Sequence, residues 1–136
     1  MALKKGYKQL LEEAYATVRT LPLAEARVKL GDPDVLFVDI RDIRELERVG
    51  MIPGAILAPQ GMLEFMVDPE SPYYNEAFGS GKEFVLYCDA AWASALAAKA
   101  LDEMGVARVC NLEGGYAAWK ASGAPTVAYE PHQPEK

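Results

Sequence analysis

Cys88 ends the apolar run Phe84-Val85-Leu86-Tyr87-Cys88, and an alanine-rich helical stretch begins six positions later, around Ser94. A thiol at the carboxyl end of a buried strand, facing the amino end of a helix, is placed to react. The helix dipole and the unbonded N–H groups of the turn stabilise a thiolate and hold an anion beside it. The bland alternative is a small buried core cysteine, the usual role of a free thiol. The strand-end position favours the nucleophile. Cys110 lies inside a second apolar run and reads as core filler rather than as a resolving thiol.

Little else in the chain can do chemistry. The only histidine, His132, sits among Pro131, Gln133 and Pro134 near the chain end, a poor place for a catalytic base. Cys88, Cys110 and His132 have no close ligand spacing, so no metal site is expected. No G-x-G-x-x-G or Walker-type loop is present. The formal net charge of −6 argues against nucleic acid and anionic membranes as partners. No apolar run reaches the ~18 residues of a membrane span. The start, Met1-Ala2-Leu3-Lys4-Lys5-Gly6-Tyr7, lacks the apolar stretch of a secretory signal, which gives a cytoplasmic expectation with both cysteines as thiols.

The elements that must position Cys88 follow from periodicity. Leu3, Tyr7, Leu10, Leu11, Ala14, Tyr15 and Val18 recur at helical spacing and predict an amphipathic helix whose stripe packs on the body in preference to a second subunit. A short edge strand over 18–21 and a helix over 23–30 follow. Val35 to Asp39 predicts a buried strand, 42–48 a charged helix, 55–57 a strand and 61–67 a helix. Residues 68–82 form a surface loop held by Tyr73, Tyr74 and Phe78. Strand 84–87, helix 94–104, strand 108–112 and a helix carrying Trp119 complete the pattern. Trp119 and Tyr116 are expected in the core. Strands alternating with helices mean a parallel α/β sheet. The 136 residues suffice for one domain burying roughly two thirds of its unfolded surface. The expected division is an N-terminal helix over 1–17, a domain over 18–123 and a polar tail over 124–136.

Over 18–123 the chain resembles single-domain rhodaneses, in several blocks that occur in the right order. Val38-Asp39-Ile40-Arg41, then Glu45, then Gly50-Met51-Ile52-Pro53-Gly54-Ala55 resembles "D-x-R … E … G-H-I-P-G-A", with Met51 in place of the histidine. Val85-Leu86-Tyr87-Cys88 resembles the strand before the family's catalytic cysteine, and Ser94 to Leu101 the helix after it. Asn111-Leu112-Glu113-Gly114-Gly115 with Trp119 resembles "L-x-G-G-x-x-x-W". The resemblance implies a five-stranded parallel sheet with helices on both faces, and a reaction that requires no metal or organic cofactor. It also implies sulfur transfer through a Cys88 persulfide, from a small-molecule donor such as thiosulfate to cyanide, a thiol or a protein acceptor.

The loop departs from the related "C-A-S-G-W-R-S". Here it reads Cys88-Asp89-Ala90-Ala91-Trp92-Ala93-Ser94, with Ala91 where glycine is usual and Ala93 where arginine is usual. The missing arginine removes a charged hydrogen bond of ~1.5–3 kcal/mol, and Asp89 adds a carboxylate at a cost of ~1 kcal/mol or more. Alanine at a position of positive φ would add ~1 kcal/mol of strain. The N–H groups of Asp89, Ala90, Ala91, Trp92, Ala93 and Ser94 remain as the substrate cradle. The expectation is a working persulfide site with weakened thiosulfate capture. The alternative is a non-catalytic or weakly catalytic persulfide carrier that docks on a protein. A phosphatase would need arginine where Ser94 stands. Among auxiliary residues, Arg41 is expected to pair with Glu45 rather than bind substrate, Asp39 to contact the site or bond its own turn, and Trp92 to line the mouth or cover the sheet end.

Overall fold

The computed structural model describes residues 2–130; His132 and its neighbours in the tail lie outside the described residues. The sheet contains β1 (Arg19–Leu21), β2 (Val35–Asp39), β3 (Ile56–Leu57), β4 (Glu83–Tyr87) and β5 (Val109–Leu112). All pairings among these five strands are parallel, in the order β1-β5-β4-β2-β3. The helices are α1 (Tyr7–Thr17), α2 (Leu23–Lys29), α3 (Ile43–Val49), α4 (Leu63–Val67), α5 (Trp92–Met104) and α6 (Gly115–Ala121). This is the parallel α/β arrangement that the alternating pattern predicts.

Both sheet faces are covered, which is why the central strands read as continuous apolar runs rather than alternating ones. Phe84, Leu86 and Cys88 point to the face that also holds Ala97, Ala98, Leu101 and Leu63, from α5 and α4. Val85 and Tyr87 point to the other, with Ala26 of α2 and Tyr116 and Trp119 of α6. Trp119 is fully buried, meets Phe37 edge-on at 5.6 Å, and donates its indole N–H to the Pro125 carbonyl at 2.7 Å. Val127 exchanges backbone hydrogen bonds with Met51, both 2.9 Å, so the first tail residues are held against the body. Only part of the α1 stripe packs on the body: Leu11 and Ala14 are buried against Ala95 and Leu96 of α5, whereas Leu3, Tyr7, Leu10 and Tyr15 are exposed.

Three sequence expectations change. Helix α5 starts at Trp92 rather than Ser94, because Ala91 supplies a left-handed turn (φ 76°) that opens it two residues earlier. Tyr73 does not tie down the 68–82 loop; it is exposed, while Phe78 is buried in a short 3-10 turn and packs on Phe84. Arg41 pairs with Asp39, not Glu45, which bonds Arg48 instead. Asp39 and Arg41 sit two apart on the strand end and both turn into the interior, whereas Glu45 lies on the outer part of α3.

The strand order fixes where a site can form. From β2 the chain moves outward to β3; from β4 it moves the opposite way to β5. The loops that leave β2 and β4 therefore diverge, and their carboxyl ends border a crevice at the topological switch point. Backbone bonds close its floor: Ile40 N–H to the Tyr87 carbonyl (3.1 Å) and Gln60 N–H to the Ile40 carbonyl (3.1 Å).

Candidate active site at the switch point

A cavity of about 400 Å³ opens there, lined by Ile40 and Gln60 on one side and by Cys88, Ala90, Trp92 and Ala93 on the other. Its remaining walls are the charged residues Arg41, Asp42, Glu45 and Asp89. Cys88 is 8% exposed at its base. Ser94 holds the sulfur twice: its N–H donates to Sγ at 3.4 Å, and its Oγ lies 3.3 Å away. Ser94 Oγ donates to Asn111 Oδ1 at 2.5 Å, and Asn111 Nδ2 donates to the Ala91 carbonyl at 3.2 Å. Ser94 and Asn111 are fully buried, so these bonds occupy polar groups that would otherwise be costly.

The shape of the loop is imposed from β5 and α6. Tyr116 N–H bonds the Cys88 carbonyl at 2.8 Å, and Ala117 N–H bonds the Asp89 carbonyl at 3.0 Å. The orphan N–H groups at the start of α6 thus consume the loop's carbonyls. The N–H groups of Asp89, Ala90, Ala91, Trp92 and Ala93 take no protein acceptor among the described residues. Donors without acceptors near the Cys88 sulfur, at the start of the thirteen-residue helix α5, have the chemistry that suits an anion. Gly115 permits this approach: a Cβ there would lie 2.6 Å from the Asp89 carbonyl oxygen and 2.7 Å from that of Cys88.

Ala91 is the one non-glycine residue with positive φ among the described residues. The left-handed region costs an L-residue about 1 kcal/mol, and Asn111 offsets part of it through the Ala91 carbonyl. Ala91→Gly is expected to raise stability by about 1 kcal/mol, a Tm gain of about 3–5 °C by calorimetry. An unchanged or lower Tm would show the turn to be unstrained.

Asp39 and Arg41 act on each other. Arg41 Nη2 and Nε meet Asp39 Oδ2 and Oδ1 at 2.7 and 3.0 Å, and Nη2 also donates to the Gly50 carbonyl at 2.8 Å. Burial works against the Arg41 charge, but the hydrogen bonds and charge of Asp39 outweigh it and hold the guanidinium above its ordinary value. The guanidinium lies 4.2 Å from the Tyr116 ring centroid. Its Nη1 is buried without a protein partner.

Charge around the cavity is therefore unbalanced. Arg41 is neutralised by Asp39, Asp42 meets Arg44, and Glu45 meets Arg48. Asp89 is exposed and has no ion pair among the described residues. Trp92 is 56% exposed at the mouth, its ring 5.4 Å from that of Tyr7 on α1. Of the two sequence readings for Trp92, the structure supports the pocket mouth. Cys110 lies on β5 facing the opposite side of the sheet, and burial pushes its thiol up to about 12.

The structure brings Cys88, Asp89, Ala90, Trp92, Ala93 and Arg41 to one cavity. Ala91 and Ser94 lie buried behind it, and Ser94 presents its side chain as well as its N–H. Asp39 does not line the cavity; it holds the side chain of Arg41, which does. Sequence reasoning missed Gln60, Asn111 and Gly115 as site residues. An asparagine inside an apolar strand was the available signal for Asn111.

The profile of the rhodanese-like domain family matches residues 22–122. A curated protein of Allochromatium vinosum named sulfurtransferase is 36% identical over 97 residues, covering 71% of this chain and 82% of its own. A solved structure from Rhodopseudomonas palustris, of unknown function and described as a possible tyrosine phosphatase, shares 45% identity. It has a TM-score of 0.90 and covers 93% of this chain and 98% of its own. The rhodanese-like domain of an Anabaena protein is 26% identical with a TM-score of 0.65, covering 86% and 87%. The matched segment contains every strand but β1, together with the whole Cys88 cradle, and the chain belongs to the rhodanese-like domain family.

Proposed function

We propose that this protein is a sulfurtransferase that carries sulfane sulfur as a Cys88 persulfide. The observation that supports it most is the Cys88 sulfur, held by the Ser94 N–H, in a loop whose 89–93 N–H groups take no protein acceptor among the described residues at the start of α5. The Cys88 thiolate attacks the outer sulfur of the donor. The donor's S–S bond breaks, and its electron pair leaves on the remainder, sulfite when the donor is thiosulfate. The Cys88 persulfide anion then rests in the cradle until a thiol or cyanide attacks its outer sulfur and releases the Cys88 thiolate. Asp39 and Arg41 act by fixing the strand end beside the cradle. Breaking such a buried pair costs about 3–5 kcal/mol.

The cavity charge refines the donor preference. Thiosulfate is a dianion, and the wall offers it N–H groups but no free cation, with Asp89 opposing it. Ala93 lines the cavity where the related loops carry arginine. Ala93→Arg is expected to raise thiosulfate kcat/KM by about tenfold or more, the value of a charged contact. Asp89→Ala is expected to act in the same direction, with a benefit that shrinks at high salt. Steady-state cyanide-acceptor kinetics at low and high salt check both. A parent rate already typical of rhodaneses and unmoved by Ala93→Arg would mean that the N–H groups suffice. The same unbalanced charge favours a second reading, a persulfide carrier that accepts sulfur once from a neutral or singly charged donor and passes it to a protein thiol.

A phosphatase role is not supported. The residue six positions after the nucleophile is Ser94, fully buried, and the one guanidinium of the cavity is held by Asp39. A phosphoryl group needs a cationic clamp on its equatorial oxygens. No Cys88-dependent turnover of an aryl phosphate is expected, and turnover lost in Cys88→Ser would reverse this conclusion.

A further inference from the structure

Asn111 lies behind the nucleophile, and its two amide ends are not interchangeable. Nδ2 faces the Ala91 carbonyl oxygen at 3.2 Å, a group that can only accept. Oδ1 is therefore the end that meets Ser94 Oγ at 2.5 Å. Oδ1 also can only accept, so the single hydroxyl proton of Ser94 points at Asn111. Ser94 Oγ is left to face Cys88 Sγ, 3.3 Å away, with lone pairs. A thiol satisfies those lone pairs by donating its S–H. A thiolate or persulfide has no proton to give and meets them with repulsion.

We propose that Asn111 is a positioning residue that commits the Ser94 proton. The resting Cys88 donates S–H to Ser94 Oγ, and an anionic Cys88 sulfur must draw that proton away from Asn111. The inference deepens the reading above and rests on Cys88 being the reactive sulfur. It divides the donors to Cys88 into one fixed and one switched. The Ser94 N–H serves the sulfur in every state. The Ser94 hydroxyl serves the anionic sulfur only when Asn111 Oδ1 gives it up. Oδ1 is then a buried acceptor without a partner, so the network opposes charging the sulfur until the hydroxyl turns. The same side chain anchors Ala91, which couples the hydroxyl rotation to the turn that opens α5. None of the charged residues lining the cavity is hydrogen-bonded into this network: Arg41 is held by Asp39, Asp42 by Arg44 and Glu45 by Arg48, and Asp89 is exposed.

Two measurements test it, neither using a sulfur donor. In Cys110→Ala protein, which keeps one thiol, the infrared S–H stretch of Cys88 should lie at the lower wavenumber of a donating S–H. Ser94→Ala should move the band up and Ser94→Thr should return it. A band indifferent to Ser94→Ala overturns the proposal. The second is a double-mutant cycle on the rate of Cys88 alkylation by iodoacetamide at fixed pH. Asn111→Ala releases a hydroxyl proton to the sulfur only where Ser94 is present. Its effect on the rate should thus be at least about threefold more favourable in the parent than in the Ser94→Ala background. The same factor in both backgrounds overturns the proposal. If Asn111→Ala does not fold, the infrared comparison decides alone, since Ser94→Ala removes one oxygen. Failure of the sulfur-transfer reading would appear elsewhere, as no sulfur added to Cys88, and so is distinguishable.

Discussion

Cys88→Ser is expected to abolish sulfur transfer, by about a thousandfold or more. A serine hydroxyl is not ionised at neutral pH and cannot hold sulfane sulfur as a persulfide. The substitution shortens one side chain at the base of the cavity and leaves its walls in place, so the fold should survive, as thermal unfolding would report. Cys110→Ala is the matched control. Cys110 is 2% exposed, faces the other side of the sheet, and its thiol is pushed up to about 12 by burial, so it stays protonated at neutral pH. It should lose some stability through lost packing and keep most of the activity. Equal losses in the two variants would contradict the assignment of Cys88.

Gly115→Ala should destabilise the protein strongly. Its Cβ would meet two backbone oxygens at 2.6 and 2.7 Å, and φ is +65°. Neither oxygen can move cheaply, because both accept from the first turn of α6. A backbone clash added to left-handed strain is expected to cost about 2–4 kcal/mol by denaturant unfolding. Any folded fraction should transfer sulfur more slowly, since the Cys88 and Asp89 carbonyls would be pushed from α6 and the loop N–H groups turned away. Gly61→Ala, with nothing within 4 Å, should change stability by no more than about 0.5 kcal/mol. A Gly115→Ala protein as stable and active as the Gly61→Ala control would show that α6 does not shape the loop.

The contrast between these glycines shows what could be read from the chain and what could not. Strands buried on both faces leave unbroken apolar runs, so β2 and β4 were found at once, β2 at its observed ends. Cys88 was singled out next, because it closes such a run just before a helix, and the structure puts it in the wall of the cavity at the switch point. The Gly114-Gly115 pair was read as a turn, but its target was hidden: the residue it approaches is 26 positions earlier in the chain. Arg41 was paired with Glu45 because local helical spacing was the available guide. Its partner is Asp39, chosen by burial at a strand end, which linear spacing does not encode. Asn111 carried a signal that was not used, since an amide inside an apolar strand must find partners. The partners themselves, Ser94 and Ala91, come from the parallel register of β4 and β5. A positive φ at Ala91 was anticipated from the glycine of related loops, but its consequence, a helix that opens at Trp92, was not drawn, so the start of α5 was placed two residues late.

The central claim is that Cys88 accepts and carries sulfur. Intact-mass spectrometry with peptide mapping tests it most directly, after separate incubations with thiosulfate and with a polysulfide, followed by removal of the small molecules. The expected result is a gain of the mass of one sulfur atom, mapped to the peptide containing Cys88. The polysulfide should load more fully than thiosulfate. The added mass should be lost on treatment with cyanide and be absent from Cys88→Ser. Added sulfur mapping to Cys110, or no added sulfur from either donor, would contradict the account.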